Sequence, residues 1–422
     1  MRRLTVKNFS VIKDATLDFG GINVIIGPQA SGKSLLCRLA YFFLDIVSIA
    51  PEALSDDTTL KAFRQQVRDS FIAWFPVNAW GKKKFEISYT HASLNISIVR
   101  TSRSGSLGEK IWLSLGQEFS TAYEGALQDI QAFNARPKKD EEEEEGGYGP
   151  WSTREIASRR LSTLFEKGQT PLQTYIPAGR AFFTTYSKAI TAFESGSLDP
   201  ITSRFGRTIE RIFNDNLFLS SGEEELAVTF DEMRARILKG SIKNKRGILS
   251  FVADDGRTLS LTHLSSGTQE VLPLLASLRF TLRSRASRTV FAEEPEAHLF
   301  PSAQVDIVRL VSWLANVRRQ KSCWVITTHS PYILTAFNNL IEAGQAARIN
   351  SKLRDEVAKI IPEHFWIKEG DFKAYAIEDG KLKSILNESG FVEGNYLDQI
   401  SEVIGNEFDE LLGLEYDHTK AS

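Results

Sequence analysis

Three stretches of this sequence bring together residue types suited to phosphate chemistry. Gly27-Pro28-Gln29-Ala30-Ser31-Gly32-Lys33-Ser34 sets glycines, a lysine and a serine at the spacing G-x-x-x-x-G-K-[ST]. Such a loop turns successive backbone N–H groups, and the positive end of the helix after it, toward a polyphosphate. Lys33 would then reach the β- and γ-phosphates while the Ser34 hydroxyl ligates magnesium. Val290-Phe291-Ala292-Glu293-Glu294-Pro295-Glu296 ends an apolar run in two carboxylates, which a strand interior would not tolerate unpaired. At a strand's carboxyl edge, Glu293 can hold the magnesium shell and Glu294 can act as general base on an attacking water. Alone, an acidic pair after a strand is more often a solvated helix start favoured by the helix dipole. The glycine-rich loop upstream reverses that balance.

Two further segments gain meaning only beside these. Thr327-Thr328-His329-Ser330-Pro331 follows another apolar run, so His329 is expected near the same edge, where one imidazole bond could sense a γ-phosphate. A lone histidine is more often a structural hydrogen-bonder. Leu264-Ser265-Ser266-Gly267-Thr268-Gln269-Glu270 opens an apolar-periodic helix and offers unpaired N–H groups and a serine hydroxyl; by itself it reads as an ordinary helix cap.

The elements that must position these groups follow from periodicity. Arg3 to Phe19 alternates apolar and polar residues as two strands joined near Asn8 to Ser10, and residues 22–26 form a short buried strand ahead of the glycine-rich loop. From Ser34 the spacing becomes helical, and Phe85 to Arg100 alternates again as a hairpin. Residues 136–150 combine like charges, glycine and proline and read as a solvated loop. A strand is expected over Thr174 to Arg180, a helical stretch to about Asn216, and strand alternation from Leu226 to Leu261. Strands at Thr289 to Ala292 and Cys323 to Thr327, separated by a helix near Ala303 to Val317, predict a parallel βαβ unit. The tail reads as a strand pair near Phe365 to Leu386 and an amphipathic helix through Leu412. The fold class expected is α/β, with a mixed sheet core, an antiparallel β subdomain and a helical insertion. The domains expected are a first lobe at 1–115, an insertion at 116–220 and a second lobe at 221–422.

Composition narrows the function classes. The 422 residues carry 51 basic and 53 acidic side chains, a balance that excludes a surface charged throughout for coating nucleic acid. The two cysteines, Cys37 and Cys323, form no CxxC pair, so neither a disulfide framework nor a thiolate metal site is indicated. No run is read as reaching the roughly 18 to 20 apolar residues that span a bilayer. A cytoplasmic location and no membrane partner are expected.

Taken in order, GPQASGKS, LSSGTQE, FAEEPEAHLFP and ITTHSP resemble the P-loop, signature, Walker B with D-loop, and switch histidine of ABC-type ATPase heads. The resemblance is nearest to the SMC-like branch containing the OLD ATPases, where EEPE followed by A-H-L and proline is habitual. It implies ATP and Mg2+ as cofactors and a homodimer, or a higher oligomer of such dimers, in which two heads enclose two nucleotides. Ser265 and Gly267 of one subunit would complete the site built by Lys33, Ser34, Glu293, Glu294 and His329 of the other. The sequence departs from the family at Ser266, a glycine in many transporters, and at Glu293, more usually aspartate, so turnover is expected to be slow. No glutamine loop is evident; Pro177-Ala178-Gly179-Arg180 lies in a plausible stretch, with Arg180 a candidate for phosphate or the subunit interface.

A compact head of this kind resembles the ATPase components of bacterial anti-phage systems such as Septu, certain retrons or PARIS, which act with a separate effector, a nuclease. Two other readings stay open. One is a DNA-repair or chromosome-associated ATPase that meets nucleic acid through Arg279 to Arg288, although those arginines equally suit the negative pole of a helix dipole. The other is a nucleotide-gated scaffold with little hydrolysis.

Overall fold

The computed structural model describes residues 2–100, 111–135, 152–165, 172–186, 198–215, 224–245, 248–283, 286–317 and 322–394, together with 396 and 408. Strands β1 (Arg2–Phe9) and β2 (Ile12–Asp18) form the expected antiparallel pair, and β3 (Ile22–Ile26) runs through the glycine-rich loop into α1 (Lys33–Ser55). Helix α2 (Leu60–Trp74) and the meander β4 (Phe85–His91), β5 (Leu94–Arg100) and β6 (Ile111–Ser114) follow. Next come α3 (Gln117–Asn134), α4 (Thr153–Ser162), β7 (Leu172–Ile176), α5 (Ala181–Tyr186), α6 (Pro200–Asn214) and α7 (Glu224–Leu238). A small antiparallel sheet, β8 (Gly240–Lys245), β9 (Ile248–Ala253) and β10 (Thr258–Ser260), precedes α8 (Ser266–Thr281). The chain continues through β11 (Arg288–Glu293), α9 (Pro301–Asn316), β12 (Cys323–Thr328), α10 (Pro331–Ala346), α11 (Ser351–Ile360), β13 (Phe372–Glu378) and β14 (Lys381–Ser384).

One sheet organises the molecule, in the order β6-β5-β4-β1-β2-β14-β13-β3-β12-β11-β7. Its β13-β3-β12-β11-β7 portion is parallel throughout, and β3, β12 and β11 are buried on both faces, which is why those three read as near-continuous apolar runs. Alternation assigns the faces: Ile25, Phe291 and Val325 enter a core with α1 to α4, whereas Val24, Val290, Trp324 and Ile326 enter a second core with α6 to α10. In the first core Phe71 contacts Phe9, Phe42, Phe75, Trp80 and Phe85, tying α1 and α2 to the antiparallel strands.

Several expectations are corrected. Residues 226–238 are helical: Leu226, Phe230, Met233 and Ile237 recur at helical spacing, with Phe230, Met233 and Ile237 buried, and true strand alternation begins only at Gly240. The strand expected over Thr174 to Arg180 ends at Ile176, because Pro177 lacks the N–H a ladder needs. Strand β7 belongs to the main sheet, α3 and α4 pack on α1, and α6 packs on α8. Helix α1 is, contrary to the sequence reading, long and apolar enough to cross a membrane, with a mean hydropathy of 1.5 over its richest window. It is instead a core helix, since 72% of that window is buried. The acidic loop at 136–150 lies outside the described residues, as does the tail helix apart from Tyr396 and Phe408.

One histidine of the sheet ties stability to pH. His91, at the end of β4, faces the Phe165 ring at 5.1 Å, and burial, helped by the Arg2 charge, lowers its imidazole from 6.5 to about 3. The unfolded chain takes up this proton below 6.5 and the folded chain does not until about 3. Stability present above the higher value should therefore be lost as pH falls through that window. In His91→Leu that part of the loss is expected to vanish, so urea midpoints at neutral pH and inside the window should differ less than in wild type. An equal acid-induced drop in both chains would exclude His91 as its source.

Candidate functional site

Register brings the candidate residues together. With Ile26 beside Thr328, Thr327 beside Glu293 and Ala292 beside Ile176, the segments after β3, β12, β11 and β7 emerge side by side at one sheet edge. This carboxyl edge is where open α/β sheets bind ligands.

The glycine-rich loop needs its glycines for space as well as for turning. Gly32 holds φ +107°, and a Cβ there would meet Ile12 at 2.5 Å and Val11 at 2.9 Å; one at Gly27 would lie 2.9 Å from the Ile377 carbonyl. Pro28, Gln29 and Ala30 are exposed at the bend, Ala30 in the left-handed region at φ +59°. Ser31 and Ser34 are half-buried, and the Ser31 hydroxyl has no protein partner. Gly32 caps α1 without any side-chain bond, so the helix presents first-turn N–H groups to an anion. Lys33 lies folded over the loop, only 5% exposed, donating from Nζ to the Gly27 carbonyl at 2.7 Å and the Pro28 carbonyl at 2.9 Å. Burial lowers its pKa, opposed by the charges of Glu294, Glu296 and Glu293.

The two carboxylates of the acidic pair occupy different surroundings. Glu293 is buried; its carboxylate accepts from the Tyr175 hydroxyl and from the Ala178 N–H at 3.2 Å. The Tyr175 hydroxyl is pushed well above its ordinary pKa, first by burial and then by the Glu293 charge, so it stays a donor to that carboxylate. Glu294 turns out of the strand at φ +42°, a conformation costly for a residue with a side chain, while its N–H donates to the Thr327 carbonyl at 2.9 Å. The turn delivers its carboxylate to solvent beside the histidine: His329 Nε2 lies 3.2 Å from Glu294 Oε1, the side chains being 37% and 34% exposed.

Three other expectations meet a different arrangement. Arg180, expected at a phosphate or a subunit interface, is 0% exposed. Its Nη1 donates to the carbonyls of Glu293 at 2.6 Å and Pro177 at 2.8 Å, Nη2 to that of Glu294 at 2.9 Å and Nε to that of Glu270 at 3.1 Å. This corrects the sequence reading: the guanidinium is spent inside the fold, where pairing makes burial of its charge tolerable. Gly267 is likewise buried, pressed so close to the His298 carbonyl that a Cβ would sit 2.6 Å from it. Of the signature residues, Ser265 and Ser266 are the exposed ones; Ser265 caps α8, its hydroxyl 3.4 Å from the Thr268 N–H. The basic segment from Arg279 to Arg288 is also turned inward at both ends. Arg279 is buried, 3.7 Å from Asp231, and Arg288 is buried with Nη1 donating to Thr174 at 2.8 Å.

Sequence reasoning passed over three residues of this edge. Glu296 is buried, accepts the Thr328 hydroxyl at 2.5 Å and the His329 N–H at 3.1 Å, and so fixes the backbone that carries His329. Desolvation raises its pKa. Tyr175 carries no motif and reaches the pair only because β7 lies beside β11, while Glu270 closes the LSSGTQE stretch without having been singled out within it. Among the described residues no group of three or more His, Cys, Asp or Glu could hold a metal. The Ser34 hydroxyl and the Glu293 carboxylate are one or two protein donors, a set that suits magnesium arriving with a nucleotide, since this ion keeps waters and phosphate oxygens.

The AAA_15 model, described as an AAA ATPase domain, matches residues 1–334. No curated protein matches the chain. Among solved structures the chain is similar to an SMC head domain from Thermotoga maritima at 11% identity, covering 92% of this chain and 98% of that one with a TM-score of 0.37. It is also similar to an SmcHead bound to the C-winged helix domain of ScpA, at 14% identity and 91% and 96% coverage, TM-score 0.41. A third is an Smc head domain with an extended coiled coil bound to the C-terminal domain of ScpA derived from Pyrococcus furiosus, at 12% identity and 91% and 96% coverage, TM-score 0.39.

Proposed function

This chain belongs to the AAA_15 family of AAA ATPase domains, and from that premise we propose that it binds and slowly hydrolyses magnesium-ATP in a head-to-head dimer that controls a separate effector. The observation carrying this reading is the meeting of Lys33, Glu294 and His329 on adjacent parallel strand ends, with the last two 3.2 Å apart. On nucleotide binding Lys33 would exchange the Gly27 and Pro28 carbonyls for β- and γ-phosphate oxygens, and the α1 N–H groups would take the rest of the phosphate charge. Ser34 and Glu293 would hold the magnesium, which would supply charge neutralisation between the phosphates. Glu294 would accept the proton of the attacking water, and His329 would donate a bond to the γ-phosphate.

The exposed Ser265 and Ser266 would face the nucleotide of a second head, so dimerisation would be part of catalysis. The motif order, with its OLD-like EEPEAHL stretch, supports a role in anti-phage defence in which the effector is a nuclease. The cytoplasm is the proposed location, in keeping with two free cysteines. The inward-turned Arg279 and Arg288 give no support to direct binding of nucleic acid through that segment.

Sedimentation velocity tests the dimer. The full chain should pass from monomer to dimer only with magnesium-ATP, and Ser266→Arg, placing a long cation on the exposed face, should block that shift while ATP still binds. A chain that sediments identically with and without nucleotide would remove the head-to-head reading. Purification with the product of the neighbouring gene tests the effector, and recovery of the chain alone from its native operon would count against it.

A further inference from the structure

We propose that Arg180 and Glu270 are positioning residues through which helix α8 sets the conformation of the hydrolytic carboxylate Glu294. The proposal rests on the head-to-head reading above, because it needs a facing subunit that touches the start of α8. Glu270 lies one turn beyond the exposed Ser266 and is buried. Its carboxylate accepts the Arg180 N–H at 2.9 Å and the Ala181 N–H at 3.1 Å, and Thr184 donates to the neighbouring Gln269 carbonyl at 2.7 Å. The corner between β7 and α5 is thereby bolted to the first turns of α8.

The guanidinium carries the connection onward. Its planar fork joins the Glu270 carbonyl at 3.1 Å to the Glu293 carbonyl at 2.6 Å and the Glu294 carbonyl at 2.9 Å. An apolar side chain could fill this volume without the desolvation cost of a buried cation, but it could not align peptide groups from α8 and β11 in one plane. A second contact meets the far end of the same turn, where Gly267 lies against the His298 carbonyl. Helix α8 therefore holds the segment from Glu294 to His298 at both ends. Both of those residues are in the left-handed region, at φ +42° and +60°. Such conformations persist only where surrounding contacts over-determine them. A subunit closing on Ser265 and Ser266 would push α8, and the fork would pass that displacement to the peptide bearing Glu294. The hydrolytic group would be set only once the second head is seated.

Glu270→Gln keeps size and shape while removing the charge, and Arg180→Lys keeps the charge while removing the fork. In the full chain, ATP binding, ATP-driven self-association and steady-state hydrolysis should be measured over a range of protein concentrations. For both variants, ATP affinity and dimer formation should stay near wild type while kcat falls by about tenfold to 10²-fold, the size expected when a reacting group is misplaced from a distance. The rise of specific activity with protein concentration should flatten. Unchanged kcat in Glu270→Gln would overturn the proposal. So would a parallel loss of ATP affinity, dimerisation and rate, or loss of the cooperative thermal transition in both variants, since these are what a packing role alone produces. A wild-type chain that neither dimerises with ATP nor gains activity with concentration would defeat the head-to-head reading itself, a result separate from any property of the variants.

Discussion

Replacing Glu294 by glutamine should lower ATP hydrolysis by about 10²- to 10⁴-fold, the usual contribution of a positioned general base. The substitution keeps the side chain's size and leaves the backbone bonds of Glu294 to Thr327 and Arg180 in place. It removes the acceptor for the water proton. Binding should survive, because Lys33, the loop N–H groups and Ser34 are untouched, so the expected product is a long-lived ATP-bound dimer. Single-turnover hydrolysis by wild type and variant reads the first effect, and retention of labelled ATP through gel filtration reads the second. A variant that hydrolyses like wild type would show that Glu294 is not the base. A wild type already as slow as the variant would favour a nucleotide-gated scaffold.

Lys33→Ala should act on binding instead. A hydrogen bond to a charged group contributes about 1.5–3 kcal/mol, so ATP affinity should fall by roughly 10- to 150-fold. The stability of the nucleotide-free chain should change little, and in either direction. Lys33 is 5% exposed, and among the described residues its ammonium is bonded to the Gly27 and Pro28 carbonyls, so its loss relieves a buried charge while freeing two acceptors. Isothermal titration with magnesium-ATP, beside a thermal melt without nucleotide, separates the two effects. Undiminished affinity would mean that phosphate is not bound at this loop.

The glycine-rich loop, the strand before it and the helix after it were legible in the sequence because all their information is local. The spacing of Gly27, Gly32, Lys33 and Ser34 and the switch of apolar period on either side are decided within a few residues. The same holds for β11, β12 and the helix between them, and therefore for Glu293, Glu294 and His329 at their ends. Where local signals conflict, the reading failed. Residues 226–238 contain enough β-branched and aromatic residues to pass for a strand, yet Phe230, Met233 and Ile237 fit one helical face, and packing against α8 and α9 settled the matter.

Arg180 and Gly267 show what sequence could not determine. Arg180 was a candidate for phosphate or the subunit interface and Gly267 for the γ-phosphate site of a facing subunit, and the burial of neither could be read from its motif. Whether a guanidinium meets solvent or four carbonyls depends on β7 pairing with β11 and on α8 lying across their ends, relations between segments more than a hundred residues apart in the case of Arg180 and Glu293. Residue types and spacing fixed which chemistry the chain carries, because a phosphate loop and a carboxylate pair are defined by a few consecutive side chains. Tertiary structure alone decided which polar groups reach the nucleotide edge and which hold it in place, because burial is a property of the whole sheet order and of no single segment.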